Sequence, residues 1–150
     1  MHKPDCTLCQ TAGGELLWQN ETLRIIDARD ALYPGFTRVV WKSHVTEMTD
    51  LAPTDRLTLM RVVWCVESTQ RRILQPDKIN LAAFGNMVPH LHWHIVPRWR
   101  DDPHFPDPVW ASLRAADAQS QVTQAHRRTH ILQRIPAYRT ALARELDSLV

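Results

Sequence analysis

Apolar and polar positions alternate through Glu15-Leu16-Leu17-Trp18-Gln19 and again from Thr22 to Asp27, just after the Gly13-Gly14 pair. Two short period-2 runs bounded by turn residues predict a β-hairpin. Pro34-Gly35 marks the next turn and leads into Thr37 to Trp41, a β-branched run that reads as a strand. From Asp55 to Leu74 the period changes. Leu59, Val62, Val63, Val66 and Ile73 recur at helical spacings, Pro53 suits a helix start, and Pro76-Asp77 stops the run. Ile79 to Ala83 and His90 to Val96 predict two more strands, joined by a loop that contains Gly85-Asn86. Asp101 to Val109 carries three prolines and reads as loop, while Pro136 to Leu149 predicts a closing amphipathic helix. Strands, one long helix, strands, then helices imply an α+β fold with a mainly antiparallel sheet.

Composition narrows the class. A chain of 150 residues, 44% of them hydrophobic, is expected to fold as one domain over 1–150 with a sizeable core. A formal net charge of +2 makes no electrostatic case for a nucleic-acid or membrane-surface partner, so neither is expected. No apolar run approaches the roughly 18 residues of a membrane span, and Met1-His2-Lys3-Pro4-Asp5 lacks a secretory apolar region. Three cysteines, an odd number, do not resemble a secreted disulfide framework, so the expected location is the cytoplasm. Cys65, inside the predicted helix, reads as a small core residue.

The chemistry is concentrated in Pro89-His90-Leu91-His92-Trp93-His94-Ile95-Val96-Pro97-Arg98. Histidines at i, i+2 and i+4 of a strand share one face, about 6.5–7 Å apart, with Leu91, Trp93 and Ile95 on the other. An imidazole is largely neutral at pH 7 and offers a free nitrogen that can attack phosphorus and form a covalent phospho-histidine. Cys6-x-x-Cys9 has three readings, namely zinc, redox or two idle thiols, and no βαβ pattern supports the redox one. Arg98 and Arg100 read as solvated charges ending a strand. His104 and Trp110 read as loop residues.

The histidine row resembles the signature of the histidine triad (HIT) superfamily, His-x-His-x-His followed by apolar residues and Pro-Arg. Asn80-Leu-Ala-Ala-Phe-Gly85-Asn86-Met-Val88 is similar to that family's Asn…Gly-Gln-x-Val approach, and Tyr33-Pro-Gly35-Phe36-Thr-Arg-Val-Val-Trp41-Lys-Ser-His44-Val45 to its Pro-Gly-His segment. With Cys6-x-x-Cys9 the likeness covers about residues 5–98, leaving 99–150 as a C-terminal extension. It implies an antiparallel sheet with one long helix, commonly in a homodimer, and a purine nucleotide substrate, adenosine type favoured. It further implies His92 as nucleophile, with His94 at the phosphate or leaving group. Among substrate-binding residues, Asn86 would contact the α-phosphate, Asn80 resembles the family's loop asparagine, and Asp30 lies near the place of its ribose-binding acid. Cys6, Cys9, His44 and His90 resemble a structural zinc quartet found in some members, while His90 is also open to an active-site hydrogen-bonding role. The implied activity releases a nucleoside 5′-phosphate from a leaving group, as in a dinucleoside polyphosphate or phosphoramidate, through a nucleotidyl-histidine. Two departures bear on turnover: Phe36 stands where a fourth histidine is common, and Trp41 where proline is usual. The alternative is a nucleotide- or partner-binding module with little turnover.

Overall fold

The computed structural model describes residues 2–149. Five strands, β1 (Glu15–Gln19), β2 (Leu23–Asp27), β3 (Thr37–Trp41), β4 (Lys78–Ala82) and β5 (His92–Arg98), form one sheet in the order β1-β2-β3-β5-β4. Every neighbouring pair is antiparallel. Besides the single turn of α1 (Thr7–Gln10), the helices are α2 (Pro53–Leu74) and α3 (Ala118–Leu149). The α+β architecture expected from the alternating periods is the one observed.

Both long helices lie on one face of the sheet. Leu23, Ile25, Val39, Trp41 and Ile95 join Leu59, Val62, Val63 and Val66 of α2 and Tyr138, Leu142 and Leu146 of α3 in one buried cluster. Side chains alternate across a strand, so the intervening residues share the opposite face. Those residues are Arg24 and Ile26, Arg38 and Val40, Asn80 and Ala82, and His92, His94, Val96 and Arg98. Two chain segments cover the ends of that second face. Cys6 and Leu8 pack on Ile26 and Val40, while Tyr33 and Phe36 pack on Val96. Arg24 pins the first segment by donating to the carbonyls of Leu8, Ala12 and Thr11.

The turn into β3 fixes where Phe36 sits. The Phe36 amide donates to the Tyr33 carbonyl at 3.0 Å, with Pro34 and Gly35 in the two central positions. Gly35 has φ +87°, the conformation a type II turn requires there, and a Cβ would meet Leu74 Cδ1 at 2.5 Å. Buried Gln70 of α2 then donates to the Gly35 carbonyl at 2.8 Å and the Ile95 carbonyl at 3.1 Å, tying turn, helix and β5 together.

Two expectations need correction. The last helix begins at Ala118 and passes through Pro136 rather than starting there. Ile131 and Tyr138 are buried on either side of that proline, so packing holds the helix across the missing hydrogen bond. Its polar first half carries no apolar stripe to read. Instead Asp117 caps it, accepting from the Ser120 amide at 2.8 Å. The second correction is His90, which precedes β5 rather than lying within it. Among the described residues no helix is long and apolar enough to cross a membrane.

Candidate active site and metal cluster

His92 and His94 stand side by side on the second sheet face, ring centroids 4.7 Å apart. Cross-strand register puts Val40 opposite His92, and Arg38 and Ala82 on either side of His94. His92 Nδ1 donates to the His90 carbonyl at 2.5 Å. A carbonyl only accepts, so the proton of the neutral ring belongs to Nδ1 and the Nε2 lone pair is left free. Burial lowers the His92 pKa below its ordinary value; the carbonyl bond opposes this and the Arg38 charge adds to it.

His94 is more extreme. Burial, with the neighbouring His92 and Arg38, brings its pKa down to about 3. Aromatic rings surround it: Phe36 at 5.6 Å, Trp110 at 5.3 Å and Phe84 at 6.0 Å, with Phe84 and Trp110 edge to face at 4.6 Å. Its Nδ1 is buried and meets no hydrogen-bond partner among the described residues. The Arg38 guanidinium lies over the Phe36 ring, 5.4 Å from its centre, with its own Nε unpartnered. The face therefore presents a free imidazole nitrogen, a neutral second imidazole and a cation, a combination suited to a phosphoryl group. A cleft of about 540 Å³ runs along the outer edge of β4, lined by Glu67 of α2, Lys78, Asn80, Ala82, Phe84 and Trp110 among others, and reaches the histidine face only through Phe84 and Trp110, the rings beside His94.

His90 turns away from this pair. Its Nε2 donates to the Trp41 carbonyl at 2.6 Å, which leaves Nδ1 as the acceptor nitrogen, 3.4 Å from Cys6 Sγ and 3.6 Å from Cys9 Sγ. His44 Nδ1 lies 3.5 Å from Cys9 Sγ. The donor atoms of Cys6, Cys9, His44 and His90 all fall within 4.8 Å of one another, a cluster that can hold a metal ion. All three cysteines are free thiols.

The other sequence candidates are scattered. Asn80 shares the histidine face, its Oδ1 accepting from Arg98 at 2.6 Å. Asp30 lies in the loop before β3, where its Oδ1 caps the turn by accepting from the Leu32 and Tyr33 amides. Asn86 is exposed in the β4–β5 loop and makes no hydrogen bond among the described residues. Sequence reasoning missed several neighbours. Arg98 is not solvated but 1% exposed, and His104 is buried. Trp110 reaches back from a proline-rich loop to His94. No short-range pattern announces these contacts; the Asp-Asp-Pro-His turn signal was the one available clue.

Comparison with known proteins gives a consistent picture. The HIT domain family model matches residues 12–101. An AP-4-A phosphorylase of Mycobacterium tuberculosis is 31% identical over 78 residues, 48% of this chain and 40% of that protein, so the match spans about two-fifths of that curated relative. The crystal structure of a histidine triad protein from Bradyrhizobium japonicum superposes with a TM-score of 0.60 at 29% identity, over 80% of this chain and 89% of that one. One from Marinobacter aquaeolei gives 0.62 at 24% identity, over 83% and 92%, and shows the shared fold.

Proposed function

The chain belongs to the HIT domain family, and from that premise we propose that it cleaves a nucleoside 5′-phosphate from a leaving group through a nucleotidyl-histidine. The observation that carries this reading is the hydrogen bond from His92 Nδ1 to the His90 carbonyl, which frees Nε2 for attack. In the first step Nε2 bonds to the α-phosphorus, the bond to the leaving group breaks, and the leaving group takes up a proton. Water then attacks the phosphorus, the P–N bond breaks, and the mononucleotide departs with His92 restored. Arg38, opposite His94, and the amide of Asn86 supply positive charge and donors where negative charge develops, while Asn80, held by Arg98 farther along β4, is proposed to meet a more distant part of the substrate. With its pKa near 3, His94 acts as a neutral hydrogen-bonding ring at physiological pH rather than as a cation. The free oxygen of Asp30 is the candidate ribose acceptor. The phosphorylase relative supports an adenine dinucleoside polyphosphate as one substrate class.

The cysteine–histidine cluster is proposed as a structural zinc site. With Zn–S near 2.3 Å and Zn–N near 2.05 Å, a tetrahedral site has S···N edges of about 3.6 Å. The three sulfur–nitrogen separations of 3.4–3.6 Å agree with that edge. The Trp41 carbonyl also orients His90 as an outer-shell partner orients a ligand. Zinc bound there would have no open position and would supply rigidity, not chemistry. A homodimer is proposed through the open outer edge of β4, beside which Leu81, Phe84 and Trp64 of α2 are exposed. A cytoplasmic location is proposed from the cysteine usage, an odd count with Cys6 and Cys9 as metal ligands rather than a disulfide framework.

A second reading has one observation behind it. Phe36 fills the place of a fourth histidine and leaves His94 Nδ1 without a partner, which favours nucleotide binding with slow turnover. Acid protonates the imidazole and hydrolyses the P–N bond of a nucleotidyl-histidine, so the test is an alkaline quench with adenylate-labelled substrate. The wild-type chain is expected to carry label and His92→Ala none, with AMP binding retained. Equal labelling of both chains refutes the assignment.

A further inference from the structure

Three arginines lie on the histidine face, and two of them are held by the protein. Arg24 donates to the carbonyls of Leu8, Thr11 and Ala12. Arg98 holds the Asp102 carboxylate through Nε and Nη2 at 2.7 and 3.0 Å, and Asp102 also accepts from the Tyr33 hydroxyl at 2.9 Å. The remaining Arg98 donors reach Asn80 Oδ1 at 2.6 Å and the Asp107 carbonyl at 2.8 Å. Arg38 has no such partners. Among the described residues its one hydrogen bond runs from Nη1 to the Gly13 carbonyl, at 3.5 Å, and its buried Nε meets nothing. Among those residues no ion pair includes it. Burial lowers its pKa and Asp30 opposes this, yet that carboxylate stands beyond ion-pair distance and holds the Leu32 and Tyr33 amides instead.

A guanidinium carries five N–H donors in a planar fork and stays charged at physiological pH. Holding it partly buried without acceptors costs free energy, which an anion bound there offsets. The fork is already placed beside the histidine pair. Register sets Arg38 opposite His94, and its charge lowers the pKa of both imidazoles. Val40, not Arg38, is the β3 neighbour of the nucleophile His92, so Arg38 stands two residues, about 6.6 Å, farther along the strand. Its guanidinium carbon lies over the Phe36 ring, 5.4 Å from the centre, on the side away from Val40. That offset suits a group next to the scissile phosphate rather than the scissile phosphate itself. We infer that Arg38 is a specificity-determining residue that takes a second phosphate of the substrate. The inference rests on the function proposed above and adds that the nucleotide carries at least two phosphates, with Phe36 as the platform for the cation that recognises the second. A phosphate beyond the scissile phosphorus and one on a ribose hydroxyl present the same chemistry to the fork, and binding distinguishes them.

The test is calorimetric titration of the wild-type chain with AMP, adenosine 5′-(α,β-methylene)diphosphate, and the 2′,5′- and 3′,5′-bisphosphates of adenosine. None of these carries a group on its 5′-phosphorus that the chain can displace. The methylene diphosphate or one of the bisphosphates is expected to bind about tenfold or more tightly than AMP, the scale of charge-assisted hydrogen bonds, and the ligand that gains identifies where the second phosphate sits. Arg38→Met keeps the apolar stem and removes the fork, and there the advantage over AMP is expected to shrink below about threefold; Arg38→Lys, which keeps the charge, retains part of it. No advantage for any two-phosphate ligand in the wild-type chain overturns the inference without recourse to a variant. An advantage that survives Arg38→Met overturns it as well. So does an equal loss for AMP and the two-phosphate ligands, which would assign Arg38 to the scissile phosphate alone. Each of these results leaves His92 as nucleophile, which the alkaline quench reads separately. A chain that binds none of the nucleotides overturns the nucleotide reading, and this inference with it.

Discussion

Replacing Phe36 by histidine tests what limits turnover. Phe36 is 3% exposed, packed with Tyr33 and Val96, and its ring is 5.6 Å from His94. Two imidazoles joined by a single N–H···N bond have centroids about 5 Å apart, given a heavy-atom separation near 2.9 Å. A histidine at 36 can therefore donate to the orphaned His94 Nδ1 with a small shift. Burying a polar ring costs about 1–3 kcal/mol, the new hydrogen bond returns about 1, and the loss of the ring beneath Arg38 adds about 0.5–1. The net loss is about 0.5–3 kcal/mol, a fall in melting temperature of about 1–12 °C for a domain of this size. Against that, completing a chain of positioned imidazoles is expected to raise kcat at least tenfold, within the range that placed acid–base groups contribute. Steady-state kinetics on an adenosine 5′-phosphoramidate, with AMP affinity by calorimetry, separates the terms: kcat rises and the dissociation constant moves less than threefold. A folded Phe36→His chain with unchanged kcat refutes the reasoning. So does a wild-type kcat already near 10 s⁻¹, an ordinary enzyme's rate.

Two further outcomes follow from the same geometry. Because attack needs an unprotonated Nε2 and burial lowers the His92 pKa, the neutral fraction persists below the ordinary histidine value of 6.5; the acid limb of kcat/KM is expected below that pH, and a limb centred at or above it contradicts the buried nucleophile. Protein purified without chelator is expected to hold about one zinc per chain, and a strong chelator or Cys9→Ser should lower the melting temperature before it abolishes labelling of His92, since closed zinc sites supply folding free energy; elemental analysis showing no metal removes this expectation.

Much of the fold was written in local pattern. The hairpin, β3 and α2 appear within two residues of where alternation and helical spacing put them, because each buries a single face of regular period. Pro136 misled because a proline at a helix start and one held inside a helix by Ile131 and Tyr138 look alike in one dimension. At the site, the histidine pair and the cysteine–histidine group follow from spacing and resemblance. The Arg98–Asp102–Tyr33 network does not, since Tyr33 and Asp102 are 69 positions apart and an arginine after a strand ordinarily faces water. His90 shows the same limit: its alternation with His92 was visible, its rotation out of the strand was not.

That rotation gives one residue two duties. The ring of His90 faces Cys6 across 84 positions of chain and the Trp41 carbonyl across 49, while its own carbonyl sets the tautomer of His92. Closures over such spans come late in folding, after local helices and hairpins have formed. Competence to attack phosphorus therefore arrives last. In refolding from denaturant, far-ultraviolet ellipticity should recover ahead of His92 reactivity, so that a chain caught halfway holds its helices and yet cannot modify a nucleotide. The long reach of His90 works as a safeguard in time, keeping the nucleophile disarmed until segments far apart in the chain have met.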